Sequence, residues 1–93
     1  MPKKVHAAHI LVKTDQEANV AHYDVTHGMD FAEVAKARSI CPSAKKGGDL
    51  GLFGRGQMVK EFEDVAFSLN KGDISRPFKS QFGWHIIKVI DTQ

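Results

Sequence analysis

A single cysteine, Cys41, occurs in the sequence, so no internal disulfide can form, and the thiol suits a reducing compartment such as the cytoplasm. No apolar run approaches the length that spans a bilayer. The start, Met1-Pro2-Lys3-Lys4-Val5, is basic but lacks the apolar stretch of a secretory leader. Charge of one sign is scarce: 13 Lys and Arg against 11 Asp and Glu leave a net charge of +2. The surplus sits at Lys3-Lys4 and Lys45-Lys46, pairs that read as solvated surface. Neither a recognition helix nor a row of base-stacking aromatics accompanies them, so no nucleic-acid partner is expected. Internal repeats and low-complexity segments are absent as well.

What remains is an ordinary globular composition, 42% hydrophobic and 26% charged, over 93 residues. That length predicts one domain, residues 1–93. Within it, two histidines stand inside strand-like apolar runs near opposite ends, Ala8-His9-Ile10-Leu11-Val12 and Gly83-Trp84-His85-Ile86-Ile87. Polar rings on core strands need partners, and the simplest partner for each is the other. Such a pair would bring both ends of the chain onto one sheet. A metal reading is disfavoured. His6 and His9 face opposite sides of a strand, and His22 and His27 are five apart on a helix.

Alternation predicts a strand over Val5 to Lys13, with Val5, Ala7, His9 and Leu11 on one face. Thr14 and Glu17 have capping-box spacing, and Ala18, Ala21 and Val25 give the helix after them an apolar stripe that stops near Gly28. Asp30 opens a second helix, which must end before Pro42. A turn or short helical piece follows over Cys41 to Lys46. Five glycines between Gly47 and Gly56 rule out a helix there, while Leu50, Leu52 and Phe53 supply a short strand. Glu61 to Leu69 is amphipathic, Ile74 to Ser80 is irregular or edge-like around Pro77, and Gly83 to Asp91 is the strongest strand. The order predicts an α+β fold with helices on a largely antiparallel sheet.

Four segments in order and at matching spacing resemble the parvulin-type peptidyl-prolyl cis/trans isomerases over essentially the whole chain. They are Ala8-His9-Ile10-Leu11-Val12-Lys13; Ser39-Ile40-Cys41-Pro42-Ser43; Gly47-Gly48-Asp49-Leu50-Gly51 with Phe53, Arg55-Gly56-Gln57-Met58 and Phe62-Glu63; and Phe82-Gly83-Trp84-His85-Ile86-Ile87-Lys88. The resemblance implies a parvulin-like (FKBP-like) four-stranded, mainly antiparallel sheet flanked by about four helices, with the histidine strands adjacent at its centre. It also implies a stand-alone member without a WW domain, chaperone arm or membrane anchor. Phosphate-recognising relatives carry a long basic loop after the first strand. Here Lys13-Thr14-Asp15-Gln16-Glu17 runs straight into a helix, so no phosphoserine or phosphothreonine is expected before the proline.

By the same resemblance, Leu50, Met58 and Phe62 would hold the proline ring, with Phe53 supporting the wall, and Gln57 would touch the substrate backbone. His9, His85 and Cys41 would face the twisting amide, Cys41 tuning its electrostatics, and Ser80 would hydrogen-bond toward the histidines. For Leu50 and Phe53, and for the histidine pair, core packing is a competing reading. An X-Pro bond rotates past a barrier of roughly 18–20 kcal/mol, and no covalent bond need break. Accelerating it by about three to five powers of ten needs ~4–7 kcal/mol of differential binding to the twisted amide. A dry pocket can supply that with no metal or cofactor. The expected partners are proline-containing peptides and unfolded chains, bound by a cytoplasmic monomer with a broad or apolar preference before the proline. The alternative reading is a non-catalytic holdase using the same groove. A cysteine hydrolase with Cys41 as nucleophile is disfavoured, because no third group orients a histidine and no nucleophile signature surrounds the cysteine.

Overall fold

The structure, a computed structural model, describes residues 3–93. Met1 and Pro2, the first residues of the segment read as no secretory leader, lie outside the described residues. Strand β1 (Lys4–Val12) leads into helices α1 (Asp15–Thr26) and α2 (Phe31–Arg38), then a 3-10 helix (Pro42–Lys46). Strand β2 (Asp49–Gly54), helix α3 (Lys60–Ser68), and strands β3 (Phe78–Ser80) and β4 (Gly83–Thr92) complete the chain. The sheet order is β2-β1-β4-β3, and every neighbouring pair is antiparallel. Three α-helices and one 3-10 helix flank it, so the fourth expected helix is a single tight stretch opened by Pro42.

Local chemistry sets the boundaries. Thr14 accepts a hydrogen bond from the Glu17 N–H at 3.2 Å and Asp30 one from the Glu33 N–H at 3.3 Å, satisfying donors that a helix start leaves orphaned. Helix α3 begins at Lys60, one residue earlier than its apolar stripe suggests, and its cap residue Val59 offers no side-chain acceptor. Around Pro77 the continuous ladder with β4 covers only Phe78 to Ser80, which makes β3 a three-residue edge strand, while Ile74 adds an isolated bridge to Lys88.

Strand alternation sorts the two central strands onto two cores. Ala8, Ile10, Val12 and Ile86 pack under Ala18, Ala21, Val25, Phe31 and Val34 of α1 and α2. Val5, Ala7, Ile87 and Val89 pack on the other face against Phe53 and α3 residues Phe62, Ala66 and Phe67. In the β1–β4 register His9 lies opposite Ile87 and His85 opposite Leu11. The two histidines are therefore diagonal neighbours on the α3 face, within reach of each other.

Candidate active site

A cavity of about 500 Å³ opens on the α3 face, beside the end of β1 and β4 where the histidines sit. Its walls come from five places in the chain: His9 and Leu11 of β1, Ile40, Cys41 and Pro42 at the entry to the 3-10 helix, Leu50 of β2, Gln57, Met58, Val59 and Phe62 around the start of α3, and Phe82 and His85 around the β3–β4 turn. Lysine, arginine and carboxylates are absent from this lining.

Close approach builds one corner. The His9 N–H donates to the Gly48 carbonyl at 2.9 Å. Gly48 has φ of +84°, and a Cβ there would run into the His9 carbonyl oxygen. Only glycine lets the chain pass this near β1 in a left-handed conformation. The neighbouring Asp49 is structural: one carboxylate oxygen accepts from the Gly51 N–H and pairs with His6, each at 2.8 Å, on the face away from the cavity. Ser39 ties the Cys41 segment to β1, its hydroxyl accepting from the Leu11 N–H at 3.0 Å and the Cys41 N–H at 3.4 Å.

The histidine pair is a hydrogen-bonded chain. Ser80 Oγ lies 2.6 Å from His85 Nε2, and His85 Nδ1 lies 3.3 Å from His9 Nδ1. Ser80 Oγ also accepts from the Phe82 N–H at 3.1 Å, which leaves it a proton and a lone pair for His85 Nε2, so the direction of that bond follows the His85 tautomer. One proton is shared between the two facing Nδ1 atoms, and His9 Nε2 is buried without a hydrogen-bond partner among the described residues. Aromatic rings complete the enclosure. Phe62 meets His9 and His85 edge-on, with centroids 5.4 and 5.5 Å away, and Phe78 stacks on His85 at 5.2 Å.

Burial keeps both imidazoles neutral. Desolvation, reinforced by repulsion from His85, lowers the His9 pKa from 6.5 to about 4. Desolvation lowers that of His85 as well. At neutral pH the site therefore presents oriented dipoles and no net charge. Both nitrogens of His85 and Nδ1 of His9 are engaged within the Ser80–His85–His9 chain. Among the described residues no hydrogen bond joins either imidazole to Cys41, so the histidine–thiol pair of a cysteine hydrolase is not formed.

The structure brings His9, His85, Cys41, Leu50, Met58, Phe62 and Gln57 together around this cavity. It places Ser80 and Phe53 behind the lining. Ser80 is buried beneath His85 and acts through it, and Phe53 backs Phe62 with centroids 5.9 Å apart. Phe62, 3% exposed, belongs to the core as much as to the cavity. Gln57 Oε1 is occupied by the Gly54 N–H at 2.7 Å, which leaves its amide NH₂ for other contacts. Sequence reasoning missed Leu11, Ile40, Phe82, Phe78 and Ser39 as parts of the site. For Phe78 a signal existed, since it stands two residues before Ser80 on the same face of a strand.

The PPIC-type PPIase domain model of the rotamase family matches residues 9–91, from the first histidine through the last strand. The chain belongs to that family. The foldase protein PrsA of Geobacillus sp. (strain WCH70) is 50% identical over 91 residues, a match covering 97% of this chain and 33% of the relative. The chain thus spans about a third of the length of the PrsA relatives it matches. Among solved structures, a peptidylprolyl isomerase (PrsA) from Bacillus anthracis superposes with a TM-score of 0.96 at 41% identity, over 99% of this chain and 43% of that one. NmPin, the parvulin of Nitrosopumilus maritimus, superposes with a TM-score of 0.88 at 46% identity, over 98% of this chain and 99% of that one. The parvulin-like, four-stranded antiparallel fold expected from the sequence is therefore the fold of this family.

Proposed function

We propose that this chain catalyses cis/trans isomerisation of X-Pro bonds in flexible or unfolded polypeptides, by a non-covalent mechanism and without need of a phosphate. The observation that carries this reading is the cavity: apolar walls of Leu50, Met58 and Phe62 meet a neutral, hydrogen-bonded histidine pair. A proline ring seated against Met58 and Phe62 loses its water. The charge-separated resonance form of its amide is then less well solvated, which lowers the barrier to twisting. With the ring held, the N-terminal part of the peptide rotates against a fixed reference. The neutral pair underlies the cavity without placing an ionic state beside the twisting amide, and Cys41 brings its thiol to the lining. Cavities of this size accept more than one small ring, so the residue before proline has room beside Ile40 and Phe82, which are both exposed at the rim.

A lining free of cationic side chains supports phosphate independence, because a phosphorylated residue would demand Arg or Lys. One sheet carrying a core on each face supports reading residues 1–93 as one catalytic domain. The unpaired Cys41 supports a reducing, cytoplasmic setting. Among the described residues no helix is long and apolar enough to cross a membrane. We take the working unit to be a monomer, since the cleft is built from one chain.

The test is relaxation of an X-Pro peptide from cis to trans with the protein at sub-stoichiometric amounts, using leucine, alanine, glutamate and phosphoserine before the proline. Acceleration with leucine and no advantage for phosphoserine supports the reading. Peptide binding without acceleration would instead identify a holdase.

A further inference from the structure

We propose that Glu63 is a positioning residue for the substrate cleft, latching the β2–α3 loop so that Met58 and Gln57 stand where a proline ring meets them. This rests on the isomerase reading of the cleft and adds a residue that does not itself line it. The loop from Gly54 to Val59 has no fully buried residue, and Arg55, Gly56 and Gln57 are exposed. Met58 and Val59 pack against the α3-face core at the end of the loop, but apolar burial does not fix Arg55 to Gln57. Polar ties do. Glu63 sits in the first turn of α3, next to Phe62, and its carboxylate uses both oxygens on the loop. Oε1 accepts the Gly56 N–H at 2.6 Å, and Oε2 accepts from the Arg55 guanidinium at 3.0 Å. These are charge-assisted bonds from a carboxylate that is 15% exposed to a half-exposed arginine and a backbone N–H.

Arg55 is held in turn by Phe67, whose ring centroid lies 4.5 Å from the guanidinium carbon. Gly56 adopts φ of +88°, and nothing within 4 Å would crowd a Cβ there, so its conformation answers to the latch and not to packing. The Gln57 side chain accepts the Gly54 N–H from within the loop. Three consecutive residues before Met58 are thus pinned, two of them by one carboxylate. Without the latch the loop samples other conformations, and the cost of ordering it moves into substrate binding. A defect of that kind raises KM and leaves kcat nearly unchanged.

The experiment combines steady-state isomerisation of a Leu-Pro peptide with methyl NMR of methionine-labelled protein, Met29 serving as the distant control. Glu63→Ala is expected to raise KM about tenfold with kcat within about twofold, and to shift or broaden the Met58 methyl while Met29 stays put. Glu63→Gln keeps an oxygen for the Gly56 N–H and should return KM to within about threefold of the parent. If Glu63→Ala does not fold, Arg55→Ala should still raise KM about threefold and move the Met58 methyl. An unmoved Met58 methyl with unchanged KM, whatever happens to Tm, overturns the proposal. Should the parent protein isomerise no proline peptide, the isomerase reading fails by itself, and the Met58 methyl still decides the latch.

Discussion

The Ser80 hydroxyl joins the Phe82 N–H to His85 Nε2 and so holds a buried imidazole in place. Removing the hydroxyl leaves a buried imidazole nitrogen unpaired. Ser80→Ala should cost about 1–2 kcal/mol. In a chain of this size that is about 5–10 °C in Tm by thermal unfolding. Ser80→Thr, which keeps the hydroxyl, should restore most of it. An unchanged Tm in the alanine variant would remove Ser80 from the account. At the cavity wall, Met58 separates function from stability better than Phe62. Phe62 is shared with the core, so Phe62→Ala carries a cavity penalty of about 3–5 kcal/mol and confounds any activity loss. Met58 is half-buried and its thioether adapts to a moving ligand. Met58→Ala should lower kcat/KM about tenfold, equivalent to roughly 1.4 kcal/mol of lost transition-state contact, with little change in Tm.

Elements that carry their own signal were legible from the sequence. The alternation of β1 and β4, the caps at Thr14 and Asp30, and the glycine cluster around β2 each follow from local chemistry. The adjacency of His9 and His85 could be argued because two buried polar rings demand partners. Much of the cavity wall was not legible in this way. Ile40 and Phe82 reach the rim only because the α2 exit and the β3–β4 turn converge in space, and no spacing in the chain encodes that. Ser39 escaped notice for the same reason, its hydroxyl being useful only once Leu11 and Cys41 lie beside it. The β2 entrance makes a sharp prediction at this scale. Gly48→Ala forces a side chain into a left-handed backbone and against the His9 carbonyl, and should destabilise the protein by ~2 kcal/mol or more. Denaturant unfolding measures it, and a neutral result would mean that the β1–β2 approach is looser than described.

For the molecule as a whole, the neutral histidine pair links folding to pH. In the unfolded chain each imidazole takes up a proton near pH 6.5, whereas His9 in the folded state does so only at about 4. Between those values the unfolded state binds more protons, so stability falls as pH falls. The contribution is complete above about pH 6.5, is lost progressively down to about 4, and for His9 amounts to about 3 kcal/mol. His85 acts in the same direction. Asp49 and Glu63, whose carboxyls are held below their usual range chiefly by the Gly51 and Gly56 N–H groups, add losses only at lower pH. Urea unfolding should therefore show stability dropping between pH 6.5 and 5, above the carboxylate range. A flat profile there would mean that the imidazoles are not buried neutral.

Most direct for the central claim, that the apolar cavity beside the histidine pair seats the proline, is the isomerisation rate of a Leu-Pro peptide with Met58→Trp, which fills that cavity with an indole. Loss of both acceleration and peptide binding in a variant that keeps its parent's fold is the predicted result. Undiminished turnover by the filled protein would contradict it.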